Sequence, residues 1–328
     1  MHLKTQKRYF HNHHLVVHIL EFAIHLQILS GGGISWSVYG AKFDTGFRVI
    51  HSRATTLDEC FLFCGSKYVQ SDMGSCFEQI ANDIKSGYYV LFTGTPCQVA
   101  AVNTFIMKNG YDVKRLYTVD IVCHGTPNPQ FWKDYVSYLE KRNRSKLTQF
   151  SFRYKEKGWK GYPTFAEFES GKCYENTFDI SVYMNLFRKN LLMRKSCFNC
   201  RYPGNFQGDI TIADFWGVEL CMPEVPIEGG VSLIVVNSKK GENLVNGMQS
   251  EHTLLKIVKN KDYLKYNYNL LYKTKQPDTY DLFWNDYKEF GMEYVLRKYG
   301  ENNLLGRCKF NLKRFLRNFG LLEKIKKC

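Results

Sequence analysis

Three short apolar runs, rich in β-branched and aromatic residues, punctuate the chain: Tyr89-Val90-Leu91-Phe92, Tyr117-Thr118-Val119-Asp120-Ile121 and Asp209-Ile210-Thr211-Ile212-Ala213. Runs of this length and kind predict strands buried on both faces, as in a parallel sheet. After the first run the pattern turns helical over about residues 98–108 and stops at Asn109-Gly110. Upstream, Ile34 to Phe43 and Phe47 to His51 predict a strand pair turning at Asp44-Thr45-Gly46. Ser71 to Ser86 predicts a helix with Met73, Phe77, Ile80, Ala81 and Ile84 on one face and Gly87 just past its end. Downstream, Phe131 to Lys141 carries a helical stripe of Trp132, Tyr135, Val136 and Leu139. Phe150–Tyr154, Thr164–Glu169 and Cys173–Phe178 read as hairpin strands, Val231–Asn237 as another buried strand, and Gly241–Met248 as a short helix.

Strand, turn, helix, strand is a βαβ unit, so the expected fold is α/β, with a mixed, largely parallel central sheet flanked by helices. A basic helical C-terminal extension follows. The chain divides by pattern into an atypical histidine-rich leader (1–32), a segment of short strands and one helix (33–87), a cysteine-bearing segment (88–250) and the basic tail (251–328). The leader holds six of the nine histidines, with His14 and His18 spaced to share a helix face, which gives either a metal site or a solvated leader. In the tail, from Asn285 onward, ten basic residues from Arg297 to Lys327 interleave with Phe310, Phe315, Leu316, Phe319, Leu321, Leu322 and Ile325. That pattern suits a helix lying on an anionic membrane surface, or one packed on the domain with a solvated basic face.

Charge narrows the partners. Forty-five basic against thirty-one acidic residues leave a net +14, which favours an anionic partner. No helix-turn-helix, RNP-like or zinc-finger pattern accompanies it, so no nucleic acid is expected. No apolar run reaches the roughly 20 residues of a membrane-spanning helix, and no secretory signal is evident. Eleven cysteines at irregular spacing then read as reduced thiols in a cytoplasm, with peripheral attachment to the inner membrane face as an option for the tail.

Four of those cysteines carry the candidate chemistry. Cys97 follows the first apolar run in Gly94-Thr95-Pro96-Cys97-Gln98, Cys123 follows the second in Val122-Cys123-His124-Gly125, and Cys197-Phe198-Asn199-Cys200 precedes the third. Open α/β sheets place their ligands at the carboxyl ends of strands, where the first two fall. Four thiolates without a histidine pair favour tetrahedral sulfur ligation, meaning an iron–sulfur cluster or zinc. Pro96 and Gly125 are expected to shape turns that aim N–H groups at sulfur. Cys60, Cys64, Cys76, Cys173, Cys221, Cys308 and Cys328 lie outside these motifs and read as structural. Asp209 and Asp214 either orient ligands from behind or bound a strand. Arg153, Lys155, Lys157 and Trp159 form a basic-aromatic segment, either a site for an acidic group or a solvated hairpin edge. No catalytic triad, zincin helix or P-loop occurs.

Taken in order, Gly65-Ser66-Lys67-Tyr68-Val69-Gln70-Ser71, Gly94-Thr95-Pro96-Cys97-Gln98, Val119-Asp120-Ile121-Val122-Cys123-His124-Gly125, Cys197-x-x-Cys200 and Asp209-Ile210-Thr211-Ile212-Ala213-Asp214-Phe215-Trp216-Gly217 resemble the coenzyme F420 hydrogenase/dehydrogenase beta-subunit family. The resemblance covers about Gly33 to Asn237, with 33–87 and 88–250 as the two parts of its module. It implies an oxidoreductase with a [4Fe–4S] cluster on Cys97, Cys123, Cys197 and Cys200, usually with FAD. It also implies electron exchange with a ferredoxin-like donor or a redox partner subunit. Similar bacterial proteins are often linked to surface-polysaccharide synthesis. For the flavin, Gly94 and Thr95 at a helix start suit its diphosphate, Lys67 is a phosphate or ring-edge candidate, and His124 a donor to flavin or cluster sulfur. No catalytic side chain is assigned. Family members commonly begin with a ferredoxin-like segment of closely spaced cysteines. No cysteine precedes Cys60, so those clusters are expected to be missing here. The alternative is a non-catalytic, metal-stabilised, membrane-associated scaffold derived from such an enzyme.

Overall fold

The computed structural model of the protein describes residues 8–11, 35–154, 163–227, 230–247, 255–258, 261–301, 306, 308–312 and 315. In chain order the strands are β1 (Arg8–His11), β2 (Trp36–Phe43), β3 (Val49–Ala54), β4 (Tyr89–Gly94), β5 (Leu116–Ile121), β6 (Leu147–Ser151), β7 (Phe165–Phe168), β8 (Cys173–Glu175), β9 (Ile210–Asp214), β10 (Ser232–Val236) and β11 (Leu255–Ile257). The helices are α1 (Leu57–Phe61), α2 (Cys76–Lys85), α3 (Pro96–Lys108), α4 (Pro129–Asn143), α5 (Phe178–Arg188), α6 (Lys195–Phe198), α7 (Val218–Cys221), α8 (Lys239–Gly247), α9 (Tyr263–Tyr266) and α10 (Tyr280–Lys298). They fall into two compact units. One comprises Met1–Thr126, Glu156–Lys160 and Ser196–Thr274; the other comprises Pro127–Lys155, Gly161–Lys195 and Lys275–Cys328.

The first unit is built on one sheet of order β11-β1-β10-β9-β5-β4-β2-β3. Its centre, β2-β4-β5-β9, is parallel, and both flanks are antiparallel. The mixed, largely parallel α/β architecture expected from the pattern is therefore the one observed. Alternation along β4 sends Val90 and Phe92 to one face, against Ile80 of α2 and Val99, Val102 and Ile106 of α3. Leu91 points the other way, into a layer with Val38, Val119, Ile212, Ile234 and Leu244 of α8. A Leu or Phe fully buried in such a layer contributes about 1.5–3 kcal/mol, which explains why the central strands read as unbroken apolar runs.

Several boundaries differ from expectation: β6 covers Leu147–Ser151 rather than Phe150–Tyr154, β8 ends at Glu175 and Phe178 opens α5, and two further shifts have local reasons. Asp44 accepts from the N–H groups of Gly46 (2.9 Å) and Arg48 (2.8 Å), and this turn puts Phe47 at φ +59°, so β3 begins at Val49 rather than Phe47. The helix expected from Ser71 begins only at Cys76. Asp72 is drawn instead to the sheet edge, where its N–H donates to Val49 O (2.9 Å) and its carbonyl accepts from His51 N–H (2.8 Å).

Behind the parallel centre runs a buried polar network. Asp120, fully buried, accepts from Gln207 N–H (2.8 Å), Gly208 N–H (3.0 Å) and the Thr211 hydroxyl. Asp209 accepts from Thr118 N–H (2.9 Å) and the Ser238 hydroxyl and pairs with Lys240 at 3.3 Å, so it bounds the strand. A Cβ on Gly208 would lie 2.7 Å from Asp120 N, so only glycine lets the chain pass. This network pins the segment that leads from Cys200 into β9.

The second unit packs α4, α5 and α10 with the antiparallel sheet β6-β7-β8. Its core is aromatic: the Trp132 ring lies 5.0 Å from Phe150, 4.8 Å from Phe152 and 5.2 Å from Tyr183, centroid to centroid. Helix α4 starts on an Asn128 side chain that accepts from Gln130 and Phe131 N–H, with Pro129 in the first turn. Helix α10 is interrupted at Gly291, where φ is +77°. Arg153 is buried in this unit rather than solvated, while Lys155, Lys157 and Trp159 lie outside the described residues.

The leader histidines other than His11, and the glycine run at 31–33, also lie outside the described residues, as do residues 316–328 of the tail. The pattern of the leader predicts no element, yet Arg8–His11 forms a strand paired to both β10 and β11. Residues 308–312 are helical, with Phe310 edge-on to Phe178 at 5.4 Å and Leu312 exposed. Among the described residues, no helix is long and apolar enough to cross a membrane.

Candidate functional site

Cys97 sits in the first turn of α3, directly after β4, and Cys123 two residues after β5. Cys197 lies in α6, and the turn behind it closes through Cys200 N–H donating to Cys197 O at 3.2 Å. The Cys123 thiol feels the fields of Cys197, Cys97 and Cys200, and the Cys200 thiol those of Cys97 and Cys197. The four cysteines singled out by motif thus lie within reach of one another's fields in the first unit.

Cys97, Cys123 and Cys200 each have a donor or partner from their own loop, and Cys197 is served by the Cys123 loop. Gly125, at φ +137°, turns its N–H to Cys123, a conformation glycine adopts freely. Thr126 N–H donates to Cys197 Sγ at 3.4 Å, with its hydroxyl 3.7 Å from the same sulfur. Tyr202 N–H serves Cys200, and the Thr95 hydroxyl lies 3.2 Å from Cys97 Sγ. Burial pushes the Cys123 thiol up to about 12, opposed by the Gly125 N–H and reinforced by the three neighbouring thiols. Cys200 is raised by the same burial, with Tyr202 N–H and the Lys273 charge pulling the other way. Cys123 and Cys200 are thus thiols whose charged form is disfavoured by burial and partly relieved by a backbone donor. The donor set, four thiols and no imidazole, fits tetrahedral sulfur ligation. Among the described residues, no three or more His, Cys, Asp or Glu side chains are gathered tightly enough to hold a single ion.

The remaining thiols differ. Cys60 and Cys76 are buried, and burial lifts them to about 12 and about 11. Both pack in apolar layers, Cys60 with Phe63 and Cys76 with Ile80.

The Lys67 ammonium is held within its own loop. It donates to the carbonyls of Leu62 (3.1 Å), Cys64 (2.8 Å) and Gly65 (3.2 Å), which uses all three N–H bonds, and burial brings it down to about 8. Thr95 N–H donates to Gln98 Oε1 at 3.0 Å, closing the start of α3 on itself. Gly94 is closely packed: a Cβ there would lie 3.0 Å from Phe92 Cε1 and 3.1 Å from Gln98 Oε1. Lys67 and Thr95 therefore spend within the chain the donors a flavin diphosphate would use. His124 Nδ1 lies 3.1 Å from Asn269 Oδ1, and the Thr274 hydroxyl donates to His124 O, which ties the Cys123 loop to 267–274.

Three residues beside sulfur are not signalled as sulfur partners by the sequence: Thr126, Tyr202, and Thr95, whose place at a helix start points to phosphate instead. Behind Thr95 stand Gln98, Ser71 and His51, in that order. The Thr95-x-x-Gln98 spacing is that of a capping box and is the signal that could have located Gln98.

Residues 88–260, just over half of the chain, match the family model for the C terminus of the coenzyme F420 hydrogenase/dehydrogenase beta subunit. The chain belongs to that family. No curated protein sequence matches this beta-subunit family member. Among solved structures, it is similar to a chain of the xenon-derivatised F420-reducing [NiFe] hydrogenase complex from Methanosarcina barkeri, with TM-score 0.50 and 16% identity over 88% of this chain and 94% of that one. At that identity the likeness is one of fold. Family membership makes the chain a redox subunit of hydrogenase/dehydrogenase type.

Proposed function

We propose that the chain is an electron-transfer subunit in which Cys97, Cys123, Cys197 and Cys200 hold a [4Fe–4S] cluster. The observation that carries this reading is four thiols that share one field, each with a hydrogen-bonding group beside it, around the carboxyl ends of β4 and β5. A cluster several atoms across accommodates wider sulfur separations than a single ion bound at about 2.3 Å, which favours it over zinc. When bound, the cluster would accept and release single electrons. The protein's own part is to supply four thiolates, to neutralise part of their charge with N–H and O–H donors, and to limit water through burial of Cys123.

FAD as a second redox group is proposed on family membership. Its diphosphate would have to displace the internal partners of Lys67 and Thr95 or bind elsewhere, so no step is assigned to those residues. A ferredoxin-like donor or redox partner subunit follows from an electron-transfer role. Anaerobic purification followed by iron, sulfide and flavin analysis tests the reading. About four irons and four sulfides per chain are expected, with iron lost in Cys123→Ser and retained in Cys76→Ala. Colourless protein after anaerobic reconstitution with iron and sulfide, or zinc in place of iron, would sink the cluster.

A further inference from the structure

One short segment, Lys261 to Thr274, is tied to two of the cysteine loops at once. Asn269 Oδ1 meets His124 Nδ1 at 3.1 Å, and the Thr274 hydroxyl donates to His124 O, so both grip the residue after Cys123. Leu270 O accepts from Gly204 N–H at 2.7 Å, which holds the chain that follows Cys200, and the Lys273 charge reaches the Cys200 thiol. The inward side is closed. Tyr263 and Leu270 are buried in the apolar layer of Phe215 and Leu233, and buried Asn267 donates to Trp216 O (3.1 Å) and Tyr263 O (2.8 Å).

The segment nevertheless carries rings that this packing does not use. Tyr266, Tyr268 and Tyr272 are 42%, 49% and 55% exposed. Tyr272 N–H donates to Tyr268 O at 3.0 Å, a helical turn that stacks the two rings with centroids 4.7 Å apart. The Tyr266 ring lies on Gly217, where a Cβ would come 2.3 Å from its Cγ, and Leu220, three residues further on, is 66% exposed. Tyrosine rings offer contact area at low entropic cost and are enriched in interface hot spots. The charge beside them is mostly of one sign. Lys261, Lys265 and Lys273 are exposed, and the acid among them, Asp262, is paired with Lys265 at 2.9 Å.

We infer that the Tyr268–Tyr272 pair and its neighbouring lysines form a docking surface for an acidic electron-carrier protein. Charge selects the occupant: local lysines on a chain of net +14 complement a surface rich in carboxylates. Position selects a redox carrier, because one hydrogen bond and one peptide link lead from Asn269 to Cys123. That second step rests on the function proposed above.

The probe is a purified acidic [2Fe–2S] ferredoxin. In the first arm its binding to the protein as purified is measured by isothermal titration calorimetry, and it should weaken as salt rises. Tyr268→Ala and Tyr272→Ala should each weaken it roughly tenfold, and Tyr272→Phe hardly at all. Lys273→Glu should cost roughly threefold to tenfold with a shallower salt dependence, and it keeps the test sound where a ring variant fails to fold. Lys108→Glu, at the far end of α3 from Cys97, should change nothing. In the second arm the reduced ferredoxin gives one electron to the reconstituted cluster, the first being oxidised as the second is reduced. The rate, followed by stopped-flow absorbance, should fall in the same variants, while reduction by dithionite stays at the wild-type rate. No ferredoxin binding, or binding that neither the alanine variants nor Lys273→Glu weaken, overturns the docking surface. So does use of these residues to bind anionic phospholipid vesicles or a second copy of the chain in place of ferredoxin. A wild type that binds ferredoxin through them but takes up no iron supports the surface and overturns the proposed function.

Discussion

The two units bury different kinds of side chain. In the second, Trp132, Tyr135, Phe150, Phe152 and Tyr183 form a core of tilted and edge-on rings whose polar atoms are few. In the first, the aliphatic layers are threaded by Asp120, Asp209, Thr118, Thr211, His51 and Ser71, all buried and hydrogen-bonded. An aromatic core gains its stability from area and ring geometry and tolerates small shifts of backbone. A buried polar network is stable only when each donor meets its acceptor, so it fixes loop positions more tightly. The second unit has a smaller group of this kind, Thr164 with Ser181, and the cysteine loops belong to the unit with the larger one.

Four substitutions or conditions probe this contrast. The largest effect is expected from Trp132→Ala, which removes the centre of the aromatic core and should cost about 3–5 kcal/mol in urea unfolding. Iron bound per folded molecule should hardly change; a parallel loss of iron would break the contrast. Asp120→Ala should cost about 3 kcal/mol, since it strands two N–H groups and a hydroxyl in the interior. It should also reduce iron uptake, because the segment after Cys200 loses its anchor.

Acid should act on the first unit through His51. Its folded value of about 4 lies below the usual 6.5, so the unfolded chain binds the extra proton first. The stability is complete above about pH 6.5 and is lost as pH falls toward about 4, by up to about 3 kcal/mol. His51→Gln should flatten that pH dependence in a denaturation series; an unchanged slope would show that His51 is not its source. The smallest effect is expected from Cys76→Ala, about 1 kcal/mol from lost packing, with iron retained. Loss of iron there would erase the distinction between buried thiols and loop thiols.

Much of the first unit was legible because its central strands are buried on both faces, which leaves an unbroken apolar signature in Val90, Leu91, Phe92 and Ile210 to Ala213. The four cysteines were legible because each is tied to a strand end or to C-x2-C spacing. What stayed hidden depended on partners far away in the chain. Met73 and Phe77 both pack on the layer of Ile80, so their spacing looked helical although Met73 precedes the helix. The Lys67 ammonium is occupied by three carbonyls of its own loop, and no composition rule distinguishes that from a lysine poised for phosphate. The Ser71 hydroxyl meets both His51 and Gln98, which only the folded chain brings within reach.

Strand β1 has a consequence for the order of assembly. It lies between β10 and β11, so Arg8 is paired beside Val235, roughly two hundred residues further along. On a ribosome, Arg8–His11 is made first but must wait until nearly the whole unit has been synthesised before it can be docked. Closing so long a loop carries a high entropic cost, and this edge of the sheet is expected to form late in folding. Until then β10 presents an open edge to its surroundings, which makes that stretch the place where a nascent chain is most exposed to mispairing.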